Sequence, residues 1–327
     1  MRTPFLVDIE ITTLCNLRCK HCYNHSGEKG MNMDLELVKN LMLKLKKLNI
    51  CIFDIIGGEP FLYPYIFEML EFAKRIDLNT MVNTNGTLIT KEIIKKLKEA
   101  NPFVKIGVSL DGSDPEINDL IRGNGNYKKT IDGINRLIEN SFDVVLLFVV
   151  NKLNWKNFED YINLAKKLGV NKIYVDRFIP VGRGKINEEK LDMNVKEWKT
   201  VLRFINEKIN HYSKEIDFIV EDSISGKECS AGKNQISILI DGNVVPCGHF
   251  RYNKEFYLGN IFKEEIEKIL LRIEENKFIN YSPPECFICE KNCKGGCKFY
   301  SFLFWNGLNK PDPVICNYTV SPLKICL

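Results

Sequence analysis

The chain has 327 residues, of which 45% are hydrophobic and 27% charged, which suits a packed protein with one large α/β domain, alone or beside a smaller one. Its net charge of +4 is modest, and lysines and glutamates are interspersed along helical stretches, a pattern typical of solvated helix faces and not of a nucleic-acid groove. It holds no run of about 18 apolar residues and no secretory signal, so we expect a cytoplasmic protein that does not cross a membrane.

Short apolar runs alternate with amphipathic helical segments in the first part of the chain, a pattern typical of successive β–α units and a parallel sheet. Most of the apolar runs lack polar alternation, as do strands that are covered on both faces. We predict strands at Phe5–Ile11, Ile50–Ile56, Thr80–Asn83, Lys105–Leu110, Val144–Val150 and Lys172–Phe178. We predict helices at Asp34–Leu48, Pro64–Ile76, Thr90–Ala100, Lys128–Asn140 and Lys156–Leu168.

Six β–α units in this order predict an α/β fold, a partial (β/α)6 TIM-like barrel with its chemistry at the C-terminal ends of the strands. A doubly wound open sheet is the alternative, because periodicity does not show whether a sheet closes. A break at Pro180–Gly184 and a helix at Val195–Tyr212 lead to a small cysteine-rich region. We therefore expect two domains, residues 1–215 and 216–327, the second with a β-hairpin in which Gly242-Asn243 forms a two-residue turn.

Twelve cysteines are many for a cytosolic chain, and their spacing favours metal centres over disulfides. Cys15, Cys19 and Cys22 follow the first predicted strand with the spacing CxxxCxxC. Four thiolates would complete the coordination of a [4Fe–4S] cluster, whereas three leave one iron open to another ligand. The alternative is a zinc site that His21 or His25 completes, although no second cysteine pair is close in the sequence.

This cysteine motif, placed directly after the first strand, closely resembles that of the radical S-adenosylmethionine (SAM) superfamily. The resemblance continues along the chain, because Gly57, Gly58 and Glu59 after the second strand look like the GGE motif of that family. There the glycines let the backbone approach the methionine end of SAM, and Glu59 would accept a hydrogen bond from its ammonium group. The resemblance thus implies SAM and a [4Fe–4S] cluster as cofactors.

Residues 83–86 and 109–112, after the third and fourth strands, resemble pocket segments of the subgroup that modifies peptides and proteins. By that resemblance Ser109 and Arg122 would bind the carboxylate of SAM, which the planar fork of an arginine suits. Asn151, which ends the fifth strand, would contact the ribose. His21 and Tyr23 flank Cys22, where the family usually has an aromatic ring near the adenine, and ordinary packing is the alternative for both.

A second block of cysteines resembles the SPASM extension of the same superfamily, which carries auxiliary [4Fe–4S] clusters. By that resemblance an outer cluster is held by Cys286, Cys289, Cys293 and Cys316, and an inner cluster by Cys229, Cys247 and Cys297. The gap between Cys289 and Cys293 is shorter than in the usual pattern. The inner cluster lacks a fourth cysteine, so we hypothesise an open iron or a ligand of another type. A pair of structural zinc sites is the alternative.

The resemblance implies reductive cleavage of SAM to a 5′-deoxyadenosyl radical that abstracts hydrogen from a substrate, while auxiliary clusters handle electrons or substrate. Peptides are the commonest SPASM substrates, so we expect oxidative modification or cross-linking of a ribosomally made peptide. The expected partners are that peptide, a separate leader-recognition protein and a flavodoxin- or ferredoxin-type electron donor. The alternatives are haem-pathway or quinone-cofactor synthesis, sulfatase maturation and a non-catalytic Fe–S or zinc scaffold.

Some residues have no assigned part in this scheme. Sulfatase maturases usually have an aspartate after the cysteine of the inner cluster, whereas Gly248 and His249 follow Cys247 here. His249, Asp111 and Tyr174 are candidates for a general base, and the sequence does not choose among them. We expect Cys51, within the second strand, to be a buried core thiol and Cys326 to be a free terminal cysteine.

Overall fold

The central feature of the fold is a ten-stranded sheet within the residues that the computed structural model describes, which are 4–287, 289 and 293–316. The strands follow the spatial order β10-β9-β8-β1-β2-β3-β4-β5-β6-β7. In chain order they are β1 (Leu6–Thr12), β2 (Ile52–Gly57), β3 (Thr80–Thr84), β4 (Lys105–Ser109), β5 (Val144–Val150), β6 (Lys172–Arg177), β7 (Asp217–Val220), β8 (Gln235–Ile238), β9 (Asn243–Val245) and β10 (Gly259–Asn260).

Consecutive strands from β1 to β7 pair in parallel, and β8 pairs in parallel with the free side of β1. The six predicted strands are therefore confirmed, with small shifts at their ends. The strand order does not reverse, which excludes the doubly wound alternative. The sheet runs past residue 215 into β7, β8, β9 and β10, and the division of the chain at that point remains a prediction.

The sheet curls as a partial barrel does. Asp8 lies on β1 and Tyr174 on β6, five strands apart, which would be about 24 Å in a flat sheet. Burial raises the pKa of Tyr174, and the charge of Asp8 contributes to that rise. The charge of Asp8 also contributes to the raised pKa of Glu221, directly after β7. These contributions indicate that β1 faces β6 and the end of β7 across the interior of a curved sheet.

Helices connect the strands and cover the outer face of the sheet, and no helix of the described residues is long and apolar enough to cross a bilayer. Two of them begin at a side-chain cap, since Asp34 and Thr90 accept hydrogen bonds from Leu37 N and Ile93 N. In chain order the helices are α1 (Leu35–Lys47), α2 (Ile66–Arg75), α3 (Lys91–Ala100), α4 (Pro115–Arg122), α5 (Asn126–Glu139), α6 (Phe158–Leu168), α7 (Arg183–Ile186), α8 (Glu188–Leu191), α9 (Val195–Tyr212), α10 (Asp222–Ser225), α11 (Ile266–Glu275), α12 (Lys277–Asn280) and α13 (Lys298–Trp305).

The two faces of the barrel strands differ in chemistry. Val7, Ile9 and Ile11 of β1 have no exposed surface and belong to one apolar core with the helices. Burial of side chains of this size contributes about 1.5–3 kcal/mol each. The alternate residues Asp8 and Glu10 point the other way, into the barrel. The core thus lies between sheet and helices, and polar residues line the interior.

The hairpin of the cysteine-rich region is present, but its turn is not the predicted one. Ile238 pairs with Val244, and Leu239 N donates to Asn243 O. The loop is therefore 240–242, and it closes on Gly242 at φ +79°. A three-residue loop that ends on a left-handed glycine is a common hairpin connection. The predicted Gly242-Asn243 turn is wrong because Asn243 already belongs to β9.

Cys51 is exposed and precedes β2, which begins at Ile52. The prediction of a buried core thiol is therefore wrong, because the strand begins one residue later and Cys51 lies in the loop that enters it. Cys326 lies outside the described residues. The cysteines within those residues are all free thiols, and they include the two groups described below.

Candidate functional site

The first cysteine motif lies on the loop that follows β1, at the C-terminal end of the parallel strands. Cys15 N donates to Gly27 O at 2.7 Å, and Cys22 N donates to Cys19 O at 3.3 Å, which curls the loop on itself. Burial raises the pKa of Cys19 to about 12, and the charges of Cys22 and Cys15 add to the rise while Arg122 opposes it. The three thiols therefore lie close together on one short loop.

The spacing of these thiols bears on the choice of metal. Within the described residues, no three Cys, His, Asp or Glu side chains converge closely enough to hold a single metal ion. A cubane takes one thiolate per iron, so its ligands stand further apart than those of one zinc ion. The all-thiol donor set of this loop fits an iron–sulfur cluster.

Arg122, at the end of α4, reaches this loop from the opposite side. Its Nη1 lies 4.0 Å from Cys19 Sγ, and its Nε lies 2.7 Å from Asp111 Oδ2. His21 Nε2 lies 3.3 Å from the same carboxylate oxygen. Burial lowers the pKa of His21 to about 4, so its ring is neutral at pH 7. Asp111 also accepts from Val149 N at 3.0 Å, and with Arg122 beside it this carboxylate is poorly placed to act as a general base.

Glu59 is a wholly buried carboxylate at the same end of the barrel. Its Oε1 accepts from Thr84 Oγ1 at 2.7 Å and its Oε2 from Asn85 N at 2.8 Å. Burial raises the pKa of Glu59, these neutral donors lower it, and the distant Arg122 contributes least. A buried carboxylate that touches only neutral donors suits a ligand that brings a positive charge, as the ammonium group of SAM does.

Gly57 and Gly58 bring β2 against the loop of the first cysteine motif. A Cβ on Gly57, at φ +145°, would lie 2.3 Å from Thr12 O, and a Cβ on Gly58 would lie 2.0 Å from Leu14 O. Asn24 joins the same two segments, since it donates to Gly57 O at 2.7 Å and accepts from the Cys22 thiol at 3.1 Å. Glycine is thus required at both positions because the backbone of the cysteine loop packs directly against them, apart from any contact with the cofactor.

We expect Gly58→Ala to destabilise the protein and to lower the iron content of the reconstituted form. The added methyl group would overlap the backbone of the cysteine loop, and overpacking costs about 1–3 kcal/mol. Gly125→Ala is the matched control, because Gly125 has φ +74° but a Cβ there meets no atom within 4 Å. The control should lose about 1–2 kcal/mol and no iron. Equal iron contents in the two variants would contradict this account.

Three more predicted cofactor residues occupy different settings. Ser109 ends β4 and is half-buried. Asn151 is fully buried, and its side chain donates to Val149 O and accepts from Leu153 N, so it shapes its own turn. The ring of Tyr23 lies 4.9 Å from the Arg251 guanidinium, on the side of the second cysteine region. Contact of these residues with SAM stays a prediction.

The second cysteine block forms two groups. Burial raises the pKa of Cys247, and the charges of Cys229 and Cys297 add to it. Burial also raises the pKa of Cys286 to about 11, with contributions from Cys293, Cys316 and Cys289. Each group contains the cysteines that the resemblance assigns to one auxiliary cluster.

The two other candidates for a general base are held in place by neighbours. His249 Nδ1 lies 3.9 Å from Cys247 Sγ, and burial lowers the pKa of His249 to about 4. Tyr174 donates a hydrogen bond to Glu221, and burial raises the pKa of Tyr174 well above its usual range. Neither geometry singles out a base.

A set of carboxylates inside the barrel was not predicted from the sequence. They are Asp8 on β1, Asp54 on β2, Asp176 on β6 and Glu221 directly after β7, and together we call them the acidic lumen. One signal was available, because Asp8 and Glu10 alternate with apolar residues along β1 and so share a face. That signal did not identify the face as the interior of a barrel.

Comparison with known proteins agrees with this site. A model of the radical SAM superfamily matches residues 9–165, and a model of SPASM, an iron–sulfur cluster-binding domain, matches residues 229–294. Together they match more than half of the chain, and they include all the cysteines of the first motif and most of the second block.

Several characterised proteins are similar along most of the chain. Mycofactocin maturase MftC of Mycolicibacterium smegmatis is 26% identical over 95% of this chain and 82% of its own length. AlbA of Bacillus subtilis, an antilisterial bacteriocin subtilosin biosynthesis protein, is 28% identical over 81% of this chain and 59% of its own length. An AdoMet-dependent heme synthase of Methanosarcina barkeri is 28% identical over 90% of this chain and 91% of its own length.

The fold is shared with a solved structure of SuiB of Streptococcus suis bound to the precursor peptide SuiA. The TM-score is 0.80 at 17% sequence identity, and the match covers 97% of this chain and 76% of SuiB. The chain therefore belongs to the radical SAM superfamily, as an enzyme that uses SAM and a [4Fe–4S] cluster, and it carries a SPASM domain for auxiliary iron–sulfur clusters.

Proposed function

We propose that this enzyme oxidatively modifies or cross-links side chains of a ribosomally made peptide. The proposal is supported by similarity to MftC and AlbA, of which AlbA is a bacteriocin biosynthesis protein, and by a fold shared with SuiB, which was solved with a precursor peptide. When bound, SAM and the cluster supply a hydrogen-abstracting radical, and the protein orients substrate and excludes water.

The residues of this chain would divide the work as follows. Cys15, Cys19 and Cys22 would hold the cluster, and Glu59 would accept from the ammonium group of SAM. Ser109 and Arg122 would bind its carboxylate, although Arg122 would have to share its guanidinium between that group and Asp111. The outer auxiliary cluster would take four thiolates. The inner one would take Cys229, Cys247 and Cys297, with its fourth iron open or held by a ligand of another kind.

One observation favours a peptide over a porphyrin, the substrate class suggested by the heme synthase relative. The acidic lumen presents four carboxylates to the barrel interior, whereas the two arginines nearest to them are already paired. Arg251 contacts Glu10, and Arg177 lies 2.8 Å from Asp312. Coproporphyrin and haem carry propionate carboxylates, which would meet like charges in such an interior. A peptide brings no obligatory negative charge.

Two partners and a location complete the proposal. We propose a flavodoxin- or ferredoxin-type electron donor and a separate protein that recognises the leader of the peptide. The cytoplasm is the proposed location, since the free thiols of both cysteine groups require a reducing compartment.

The test is anaerobic reconstitution with iron and sulfide, followed by incubation with SAM, dithionite and each small peptide whose reading frame adjoins the gene. We expect 5′-deoxyadenosine together with a peptide that has lost the mass of two hydrogen atoms. Iron coproporphyrin III is the competing substrate in a parallel reaction. Consumption of the porphyrin with an unchanged peptide would overturn the proposal in favour of the haem pathway.

A further inference from the structure

Some side chains that point into the barrel keep part of their surface accessible. Along β1, Val7 and Ile9 are fully buried against the helices, whereas Asp8 between them keeps part of its surface accessible. The same alternation occurs on β6, where Asp176 is partly accessible and Val175 is buried. Because these partly accessible residues point inward, the acidic lumen faces the space that the barrel strands surround.

Each of the four carboxylates of the acidic lumen accepts a hydrogen bond from a neutral side chain. Asp8 accepts from Ser237 Oγ at 2.7 Å, and Asp54 Oδ2 accepts from Asn83 Nδ2 at 2.7 Å. Asp176 accepts from Ser223 Oγ at 3.0 Å, and Glu221 from the hydroxyl of Tyr174. Both neighbouring arginines are paired elsewhere, so carboxyl groups outnumber available cationic groups in this part of the interior.

The carboxylates lie close enough to affect one another. Asp8 and Asp54 are register partners on adjacent strands, so their side chains lie side by side. Burial and the charge of Glu10 raise the pKa of Asp8 to about 7, with Ser237 opposing the rise. Burial and the charge of Asp176 raise the pKa of Glu221 to about 8. A cation that enters the acidic lumen would stabilise the ionised forms of these carboxylates.

Two buried oxygen atoms in this group have no hydrogen-bond donor among the described residues. They are Asp54 Oδ1 and Asn83 Oδ1, on the adjacent strands β2 and β3. Asp54 is only 8% exposed, so bulk water does not satisfy it. The Asn83 amide cannot be reversed to donate into the barrel, because its nitrogen already donates to Asp54 Oδ2. Burial raises the pKa of Asp54 well above its usual range, and the charge of Asp8 adds to the rise. A cationic donor at these two oxygen atoms would offset both effects and stabilise the ionised form of Asp54.

We propose that the acidic lumen is the pocket for a positively charged group of the substrate, the ammonium or guanidinium of a Lys or Arg side chain of the peptide. This inference rests on the proposed function and adds to it the residue class that enters the barrel. Asp54 and Asn83 would accept from the cation directly, and Asp8 would share its charge. The carboxylates would be held in place by their hydrogen-bond donors, which are Ser237, Ser223, Tyr174 and Asn83.

The ammonium group of SAM is a second cation that could be considered for this pocket. Glu59, beyond the end of β2, already offers a buried carboxylate for it. Asp54 lies three residues before Gly57, about 10 Å further into the barrel at the rise of an extended strand. Glu59 and Asp54 thus lie at different depths in the barrel, Glu59 at its mouth and Asp54 further inside.

The binding test uses the reconstituted holoenzyme with SAM and three probes of equal chain length: n-butylammonium, n-butylguanidinium and n-butanol. Calorimetric titration should show binding of at least one cation, with butanol at least about tenfold weaker, and the two cations distinguish a Lys from an Arg pocket. Asp54→Asn and Asp8→Asn should each weaken cation binding about ten- to a hundredfold, the range for a charged hydrogen bond. Glu92→Gln is the control, because Glu92 is exposed on α3 and pairs only with Lys96 on the surface.

Three outcomes would overturn the inference: butanol that binds as well as the cations, cation binding that Asp54→Asn leaves unchanged, or SAM affinity that falls together with cation affinity. The last would assign Asp54 to SAM. Circular dichroism and iron content check that each variant is folded and loaded. Since no turnover is measured, failure here leaves peptide modification intact, and failure of the peptide assay leaves this binding result standing.

Discussion

Replacing Cys19 with alanine is expected to abolish SAM cleavage. The Cys19 thiol lies on the loop after β1 beside Arg122, and with Cys15 and Cys22 it forms a three-thiol group that leaves no spare ligand. Loss of a group that merely supports a ligand lowers metal affinity 10- to 100-fold, so loss of a ligand itself should reduce 5′-deoxyadenosine formation by at least about 100-fold. The measurement is 5′-deoxyadenosine released under dithionite, with the absorbance of the cluster recorded for the same sample.

Cys51→Ala supplies the matched control, because Cys51 is an exposed free thiol outside both cysteine groups. Its iron content and SAM cleavage should equal those of the unchanged protein. The auxiliary clusters will still bind iron in Cys19→Ala. The variant should therefore lose only part of its iron content but all of its 5′-deoxyadenosine formation. Undiminished 5′-deoxyadenosine from Cys19→Ala would remove this thiol from the cluster.

The fold could be predicted from the sequence because local pattern and tertiary environment agree. Parallel strands covered on both faces are apolar runs, and helices between them have one apolar face and a recognisable cap, as at Asp34 and Thr90. The errors occurred where the chain departs from these rules. The hairpin turn was misplaced because Gly-Asn is good chemistry for a two-residue turn, whereas strand pairing at Ile238 and Val244 decides the loop length.

The candidate site was predictable only in part. Cysteine spacing and the sequence around Glu59 were sufficient to place a cofactor at the ends of the strands. The grouping of Cys229 with Cys297 rested on a resemblance, since nothing local brings together residues so far apart in the chain. The acidic lumen depends on the curvature of the sheet, which brings Asp8 close enough to Glu221 to affect its pKa, and periodicity carries no information on curvature.

We expect Asp312→Asn to lower the free energy of unfolding of the holoenzyme by about 3–5 kcal/mol. Arg177, at the end of β6, lies 2.8 Å from Asp312, and both side chains have no exposed surface. The guanidinium also lies 4.1 Å from the centre of the Tyr300 ring on α13. Asparagine keeps an oxygen that can accept from Val314 N, as Asp312 does at 2.8 Å, so the variant removes mainly the charge. The cost arises because Arg177 would remain buried and charged without its partner.

The double variant Arg177→Met/Asp312→Asn separates charge from shape, and denaturation under anaerobic conditions measures both proteins. Replacing a buried ion pair by neutral groups is often close to neutral, so the second substitution should recover most of the loss from Asp312→Asn. If Asp312→Asn costs less than about 1 kcal/mol, or if the double variant is no more stable than the single one, the pair does not hold β6 to the cysteine-rich region. If the double variant regains stability, the contact stabilises this junction because the charges of Arg177 and Asp312 neutralise each other. Any substitution that leaves one of the two charges unpaired would then destabilise the segment that leads to Cys316.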